Sequence, residues 1–396
     1  MSKRRKVNFL AAGLIVGSLS FCTTQAYAAE NGLTISLENQ KQTDVQPILV
    51  KDRTFIPLYT LADWVGAGVE YDASTHTVTC TKDEITFTID VLQGVVKENG
   101  EQIAMDPPPR IMNGRTMVPL RYFAESFGYQ VFYNASTNTV NIVPSQDVLK
   151  KREVIKDLLR KSQEATNAKN SYQMNFGLKA SLPTGIVKAN LTGNMQFDYN
   201  KNPFALHGKG SIDVPIQPQA QHFDIEMYLI DGKIYYLNPE THKWEKITIM
   251  SQAEWNQLIQ MSTSTTMTPQ QEEQINMLLP MATLKDNGNT YEIHFSLTKS
   301  ALKKLIMNSP VPGSNGAVPS IPTDEELQFF KTFHIIQTID KASSLQKGFS
   351  INMEMAIPDA GSMNITVDGT LSNFDQVPPI SIPQDVLQNA VEVPVH

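Results

Sequence analysis

Between Arg115 and Val143 the spacing of apolar residues changes twice. Met117-Val118 is a short apolar run that closes on Pro119; Leu120, Phe123, Ala124 and Phe127 then recur at helical spacing, and beyond Gly128 the residues alternate toward Tyr133. Proline holds φ, lacks a donor and keeps the preceding residue extended, so a strand hands over to a helix at Pro119. Gly128 suits a left-handed helix stop. Asn134, Ser136 and Thr137 then turn the chain back into Thr139-Val140. The predicted unit is strand, helix, hairpin.

An earlier copy of the same pattern begins near Lys51. Placing Arg53 on Arg115 gives an offset of 62 that holds without a gap, pairing Pro57 with Pro119, Gly66 with Gly128, Tyr71 with Tyr133 and Ala73-Ser74-Thr75 with Ala135-Ser136-Thr137. In this copy Leu58, Leu61, Ala62 and Val65 carry the helical stripe. Tyr59 stands where the second copy has Arg121, and Lys51-Asp52 where it has Asn113-Gly114, a drift in turn and surface. Between the copies Ile85, Phe87 and Ile89 alternate as a strand. Asn99-Gly100 predicts a hairpin between Val95-Val96 and Ile103, and Asp106 to Pro109 an extended edge.

After Pro144 the pattern changes. Val148, Leu149, Val154, Ile155, Leu158 and Leu159 predict a long amphipathic helix that opens a second domain. From Ser171 strands alternate through Tyr172, Met174, Phe176 and Leu178; Leu191, Met195 and Phe197; Leu206 and Ile212; and Phe223, Ile225, Met227 and Leu229. Asp231-Gly232 predicts a further hairpin turn. Helices are expected over Ala253–Met261, Pro269–Met281 and Ser300–Asn308, then, after a proline- and glycine-rich loop, one through Leu327, Phe330 and Phe333. Strands resume at Phe349–Ile357 and Met363–Leu371. The fold class expected is α+β: a duplicated strand-helix-hairpin module (31–144, repeats 45–80 and 107–142), then a curved antiparallel sheet with helices on one face (149–396).

The N-terminus adds a location. Lys3, Arg4, Arg5 and Lys6 precede an apolar run from Phe9 to Phe21, and Ala26-Tyr27-Ala28 is a small-x-small cleavage site, so residues 1–28 read as a secretory signal. A rival reading lipidates Cys22, against which the bulky Phe21 stands. Removing four positive charges and no negative one takes the formal charge from −7 to −11. An acidic mature chain has no electrostatic reason to seek nucleic acid. Beyond Cys22 only Cys80 remains, so no disulfide framework or cysteine zinc site is available. No other apolar run approaches a membrane span.

The stretch "DPPPRIMNGRTMVPLRYFAESFG" with "YNASTNTV" resembles the repeat of the copper amine oxidase N-terminal domain family, also called a stalk domain. The resemblance implies a scaffold without the enzyme's catalytic domain, which uses a tyrosine-derived quinone and three histidine ligands. The seven histidines are dispersed, and no Asn-Tyr-Asp or Asn-Tyr-Glu triplet occurs. The second half, by its order of helix, meander, helices and closing strands, resembles LolA-like and LppX-like envelope lipoproteins. That implies a half-barrel whose helices enclose an apolar cavity for a lipid or other lipophilic molecule, with Trp255, Leu258, Ile259, Leu278, Leu279 and Met281 facing it. The same residues at helical spacing equally fit a closed core.

Arg115 and Arg121 are the candidates for an anion site; local partners, carbonyls for Arg115 and Glu125 for Arg121, fit better. Met353-x-Met355 lacks a third soft ligand, so core packing is preferred to copper. No catalytic, cofactor or metal residue is assigned. The functions in play are an exported, non-catalytic envelope protein that binds or senses a lipophilic ligand, a structural or adhesive wall protein, and an enzyme whose active site assembles across the sequence.

Overall fold

The computed structural model describes residues 32–184, 187–215, 220–263, 267–307, 327, 329–357 and 361–394, and within these the side chains of 182–184, 187–189, 258, 261–263 and 307 are also left out. Residues 1–28, expected to be a signal, with Cys22, the proline- and glycine-rich stretch at 308–326 and the Leu258 side chain therefore lie outside the described residues.

Both copies form the predicted unit. Strand Arg53–Pro57 runs into helix α1 (Leu58–Val65), and strand Arg115–Pro119 into helix α2 (Leu120–Ser126). Gly66 caps α1 at φ 72°, and Gly128 follows α2 at φ 83°. Asp72 and Asn134 each accept the backbone N–H and hydroxyl of the serine two residues on, so the turns of the two hairpins are built alike. The two proline-ended strands pair antiparallel with Ile56 opposite Val118, which are equivalent positions of the repeat. A pseudo-twofold axis thus passes between the copies. Around it equivalent residues share one core: Leu58 with Leu120, Leu61 with Phe123, Ala62 with Ala124, Val65 with Phe127 and Val78 with Val140. Neither helix is long enough to hold without this burial.

The hairpins then go separate ways. The first (Gly68–Asp72, Thr77–Lys82) is extended by the strands between the copies into a five-stranded sheet, with Asn99-Gly100 at its predicted turn. The second (Tyr129–Asn134, Thr139–Pro144) takes Thr34–Leu37 as a parallel neighbour.

Ser145 caps helix α3 (Gln146–Asn167), which leads into one twelve-stranded sheet. Its long central strands are Gly361–Ser372, Ser171–Thr184, Val187–Lys201, Phe204–Val214 and Gln221–Ile230, neighbours in that order. Helices α4 (Gln252–Thr263), α5 (Pro269–Leu278) and α6 (Lys299–Met307) interrupt it, and a 3-10 turn, Leu279–Met281, follows α5. The short helix α7 (Gln384–Asn389) and the segment around it pack on Tyr228 and Tyr235 at one end.

Two expectations are corrected. The helix expected through Leu327, Phe330 and Phe333 does not reach that far: Leu327 is helical, but Phe330 and Phe333 lie in strand Phe330–Asp340. The register slips between Phe330 and Thr332, setting Phe330 opposite Met355 and Phe333 opposite Met353. A bulge thus puts residues three apart on one face, which imitates helical spacing. The hairpin of Ala282–Asp286 with Thr290–Ser296 was not anticipated either, although Tyr291, Ile293 and Phe295 alternate. On α3 the buried stripe is Arg152, Ile155, Leu159 and Ser162, while Val154 is 51% exposed.

Arg152 is buried because α3 crosses the duplicated domain. Its guanidinium donates to Glu38 Oε1 at 2.9 Å and to the Tyr129 hydroxyl at 2.7 Å, and lies over the Tyr129 ring. Nearby, Lys82 donates to the carbonyl of Val65, at the end of α1, and to that of Pro280 at 3.0 Å. Gly66 lies against Pro280 and Met281 so closely that a Cβ there would overlap their backbone. The contact between the halves is therefore made by backbone approach and buried donors.

Two outcomes follow from this seam. Arg152→Ala should lower the unfolding free energy by about 2–3 kcal/mol in urea titrations, less than for a fully enclosed pair because Glu38 can hydrate. Burial pushes the Lys82 ammonium from 10.5 down to about 8. The unfolded chain then holds that proton more tightly, so stability should rise as pH climbs from 8 to 10.5, by up to about 3 kcal/mol. Lys82→Met should flatten that part of the curve relative to the parent protein.

Candidate functional site

The long sheet sorts its side chains by face. Directly opposed residues share a face, so the row Val367, Leu178, Gly193, Ile212, Phe223 and the row Gly369, Phe176, Met195, Gly210, Ile225 lie on the same apolar side. The other side carries rows such as Gln173, Asp198, His207 and Asn175, Gln196, Lys209, Glu226. Those polar groups satisfy one another: Gln173 donates to Asp198 at 2.9 Å, His207 Nε2 lies 3.0 Å from Glu226, and Ser350 donates to Asp368 at 2.7 Å. Period-two alternation over twelve strands has produced a mainly polar face, covered at one end where α7 packs on Tyr228 and Tyr235, and an apolar one that must be covered.

Cover is supplied mainly at the ends. Ile155 and Leu159 of α3, Leu279 and Met281 of the 3-10 turn and Ala301 of α6 close over Ile293, Phe295 and Ile339 as a buried core. On the other side of the central strands, Trp255 of α4 is buried with its ring edge-on to Phe204 at 5.1 Å. Between these places the apolar face is only half-buried: Phe176, Met195, Phe197, Met227, Phe349 and Met353 all retain solvent access.

The floor of this open stretch is aromatic. Phe176 lies 5.5 Å from Phe197 and 5.4 Å from Phe349, centroid to centroid, and Tyr172, Tyr199 and Phe204 continue the ring contacts toward Trp255. Gly208 and Gly369 make room for rings that reach over a neighbouring strand, because a Cβ at either would strike the Phe197 or the Phe349 ring. Methionines fill the remaining positions, and their unbranched thioether chains adapt to irregular partners. Burial pushes the Tyr172 hydroxyl up to about 12, so this part of the face carries no ionised tyrosine at neutral pH.

The six residues expected to face a cavity are not brought to one place. Leu279 and Met281 are buried in the end core and Leu278 packs against it. Trp255 is buried beside Phe204, Ile259 is half-buried on the same helix, and the Leu258 side chain is outside the described residues. The strand residues of the open face were legible as an apolar stripe but gave no sign that helices would leave them uncovered. Of the two arginines weighed, Arg121 sits 3.9 Å from Glu125 and Arg115 is exposed. Among the described residues no group of three or more His, Cys, Asp or Glu side chains is placed to hold a metal ion, and no helix is long and apolar enough to cross a membrane.

With this geometry in view, residues 36–142 match the family model of the copper amine oxidase N-terminal domain, and residues 154–391 match that of a family of unknown function, DUF6612. No curated protein matches the chain. Among solved structures, LprF from Mycobacterium bovis is similar at 12% identity and a TM-score of 0.29, over 59% of this chain and 97% of its own. A LolA superfamily protein from Nitrosomonas europaea follows at 8% identity and 0.21, over 58% and 95%. An outer membrane lipoprotein-sorting protein domain from Vibrio parahaemolyticus stands at 6% and 0.21, over 61% and 97%.

The half-buried state of the face can be measured by side-chain deletion. Phe123→Ala, in the closed core of the duplicated domain, should cost about 3–5 kcal/mol of stability, whereas Phe176→Ala should cost less than about 2 kcal/mol because its ring is already partly hydrated. Equal losses in urea unfolding would show the face to be a closed core.

Proposed function

This chain belongs to the DUF6612 family of unknown function, and on that footing we propose that its second domain binds a lipophilic molecule on the open apolar face of the long sheet, as an exported, non-catalytic protein of the cell envelope. One observation carries the reading: the central strands offer Phe176, Phe197, Phe349 and their methionine neighbours half-covered, although helices of the same domain bury both flanks. Contiguous apolar surface left only half-covered is costly to keep in water and marks binding surfaces. A ligand without charge is favoured there, since the floor supplies rings and thioethers, and Glu245, which shares the Met227 row through Tyr236, is already held by Tyr236 and Asn238.

In this reading the parts divide the work. Residues 1–28 direct export and are removed, residues 31–144 form a stalk, and residues 149–396 form the binding domain. Trp255 and Ile259 border the face on α4, while Leu278, Leu279 and Met281 hold the lid elements from the core beside it. The protein acts by sequestering or sensing its ligand.

Full-length protein, expressed with export and purified without detergent, should yield a lipid on solvent extraction and mass spectrometry, and should enhance the fluorescence of an uncharged apolar probe such as N-phenyl-1-naphthylamine. Phe197→Asp and Met227→Lys should each weaken probe binding at least about tenfold, because each sets an unpaired charge against the ligand. Absence of both lipid and probe binding, or charge variants that bind as well as the parent, would refute the reading.

A further inference from the structure

The duplicated domain holds a cavity of about 660 Å³ between its copies, independent of the apolar sheet. Asp52, Arg53 and Thr54 of the first copy meet Arg121, Tyr122 and Glu125 of the second along it. Its size falls within the range of small-molecule sites, roughly 300–1,000 Å³. Apolar surface comes from Leu33, Met105, Pro119, Val131 and Val140, so the lining is mixed.

The charges cancel. Asp106, also on the lining, is paired with Lys51 at 2.9 Å, which leaves Arg53 and Arg121 against Asp52 and Glu125. An anion or a cation would meet as many repulsive groups as attractive ones. Two tyrosine rings complete the site, Tyr122 at 37% and Tyr133 at 56% exposure. Each is pinned by its own hydroxyl, which donates to Glu98 at 2.8 Å from Tyr122 and to Asn138 at 3.0 Å from Tyr133. Rings fixed in this way offer apolar contact with little entropy left to lose on binding.

The other copy shows what this face does when it is covered. Tyr59, Asp63 and Val69 stand at the positions of Arg121, Glu125 and Val131, and they line a space of only about 150 Å³ shared with Ser296, Lys299 and Phe333 of the second domain. One copy has its outward face turned to the neighbouring domain and has tyrosine in place of the arginine. The other keeps an open cleft with its arginine.

We propose that the cleft between the copies binds a neutral saccharide, with Tyr122 and Tyr133 against the apolar faces of the sugar rings and the arginines, carboxylates and Asn138 bonding to its hydroxyls. Sugars combine uncharged hydroxyls, which both donate and accept, with C–H faces that seek aromatic surface. The mixed, charge-balanced lining matches that combination better than it matches an ion or an acyl chain.

The test titrates the full-length protein with cellotriose, chitotriose and maltotriose, followed by calorimetry or NMR shifts. At least one should bind saturably. Tyr133→Ala and Arg121→Tyr, the latter placing the residue that the first copy already carries there, should each weaken that binding about tenfold, the loss expected for one good contact. Tyr71→Ala, at the equivalent tyrosine outside the cavity, should leave it unchanged. Retention on the matching insoluble polymer as well would assign a glycan chain, and binding of the trisaccharide alone a free sugar. No saturation with any probe, an equal loss in Tyr71→Ala, or preference for trigalacturonate over the neutral sugars would overturn the proposal. Failure of lipid binding in the second domain would not bear on it.

Discussion

An antiparallel sheet with one apolar face has to put something over that face. Twelve strands generate more of it than the helices α3 to α6 conceal, and the covering they give is concentrated where α3, the 3-10 turn and α6 meet Ile293, Phe295 and Ile339. The rest of the second domain follows from this shortfall. Glycines at 208 and 369 let phenylalanine rings lie across neighbouring strands, which gives the uncovered floor a cover of its own making. The closed core of the duplicated domain also stacks rings, Phe87 on Phe123 and Phe127, but buries them fully; here the rings and thioethers of the floor remain half-covered.

The same helix that closes one end of the sheet ties the two halves together. α3 buries Ile155 and Leu159 on the second core while presenting Arg152 to Glu38 and Tyr129 of the duplicated domain. Lys82 and Gly66 complete the seam from the other side, one by donating to carbonyls of both halves and one by having no Cβ. Polar groups buried in this way fix orientation more than they add stability, since removing them from water offsets much of what their bonds return. The proposed binding face and the proposed saccharide cleft are thus carried on a framework whose two parts are set against each other by specific contacts.

Much of this was legible in the order of residues. The offset of 62, the prolines at 57 and 119 and the glycines at 66 and 128 state the strand-helix-hairpin unit, because each residue type constrains its own backbone. Alternation named the apolar stripes of the meander for the same reason. What failed was local spacing under a bulge: Phe330 and Phe333 sit three apart yet share a strand face, since a shifted register leaves no mark on the sequence. Val154 was placed in the buried stripe and Arg152 was not, because the amphipathic pattern of α3 takes no account of a second domain lying along it.

The sequence by itself determined the repeat, most of the strands and, away from the bulge and from α3, the face to which their side chains turn, since these depend on residue identity and on neighbours a few positions away. Tertiary structure decided which apolar residues are covered. Leu279 and Trp255 became buried while Phe176 and Met227 did not, and Arg121 lines a cleft whereas its counterpart Tyr59 faces the other domain. The physical reason is that burial depends on how much surface distant segments bring together, a quantity that no single stretch of chain contains.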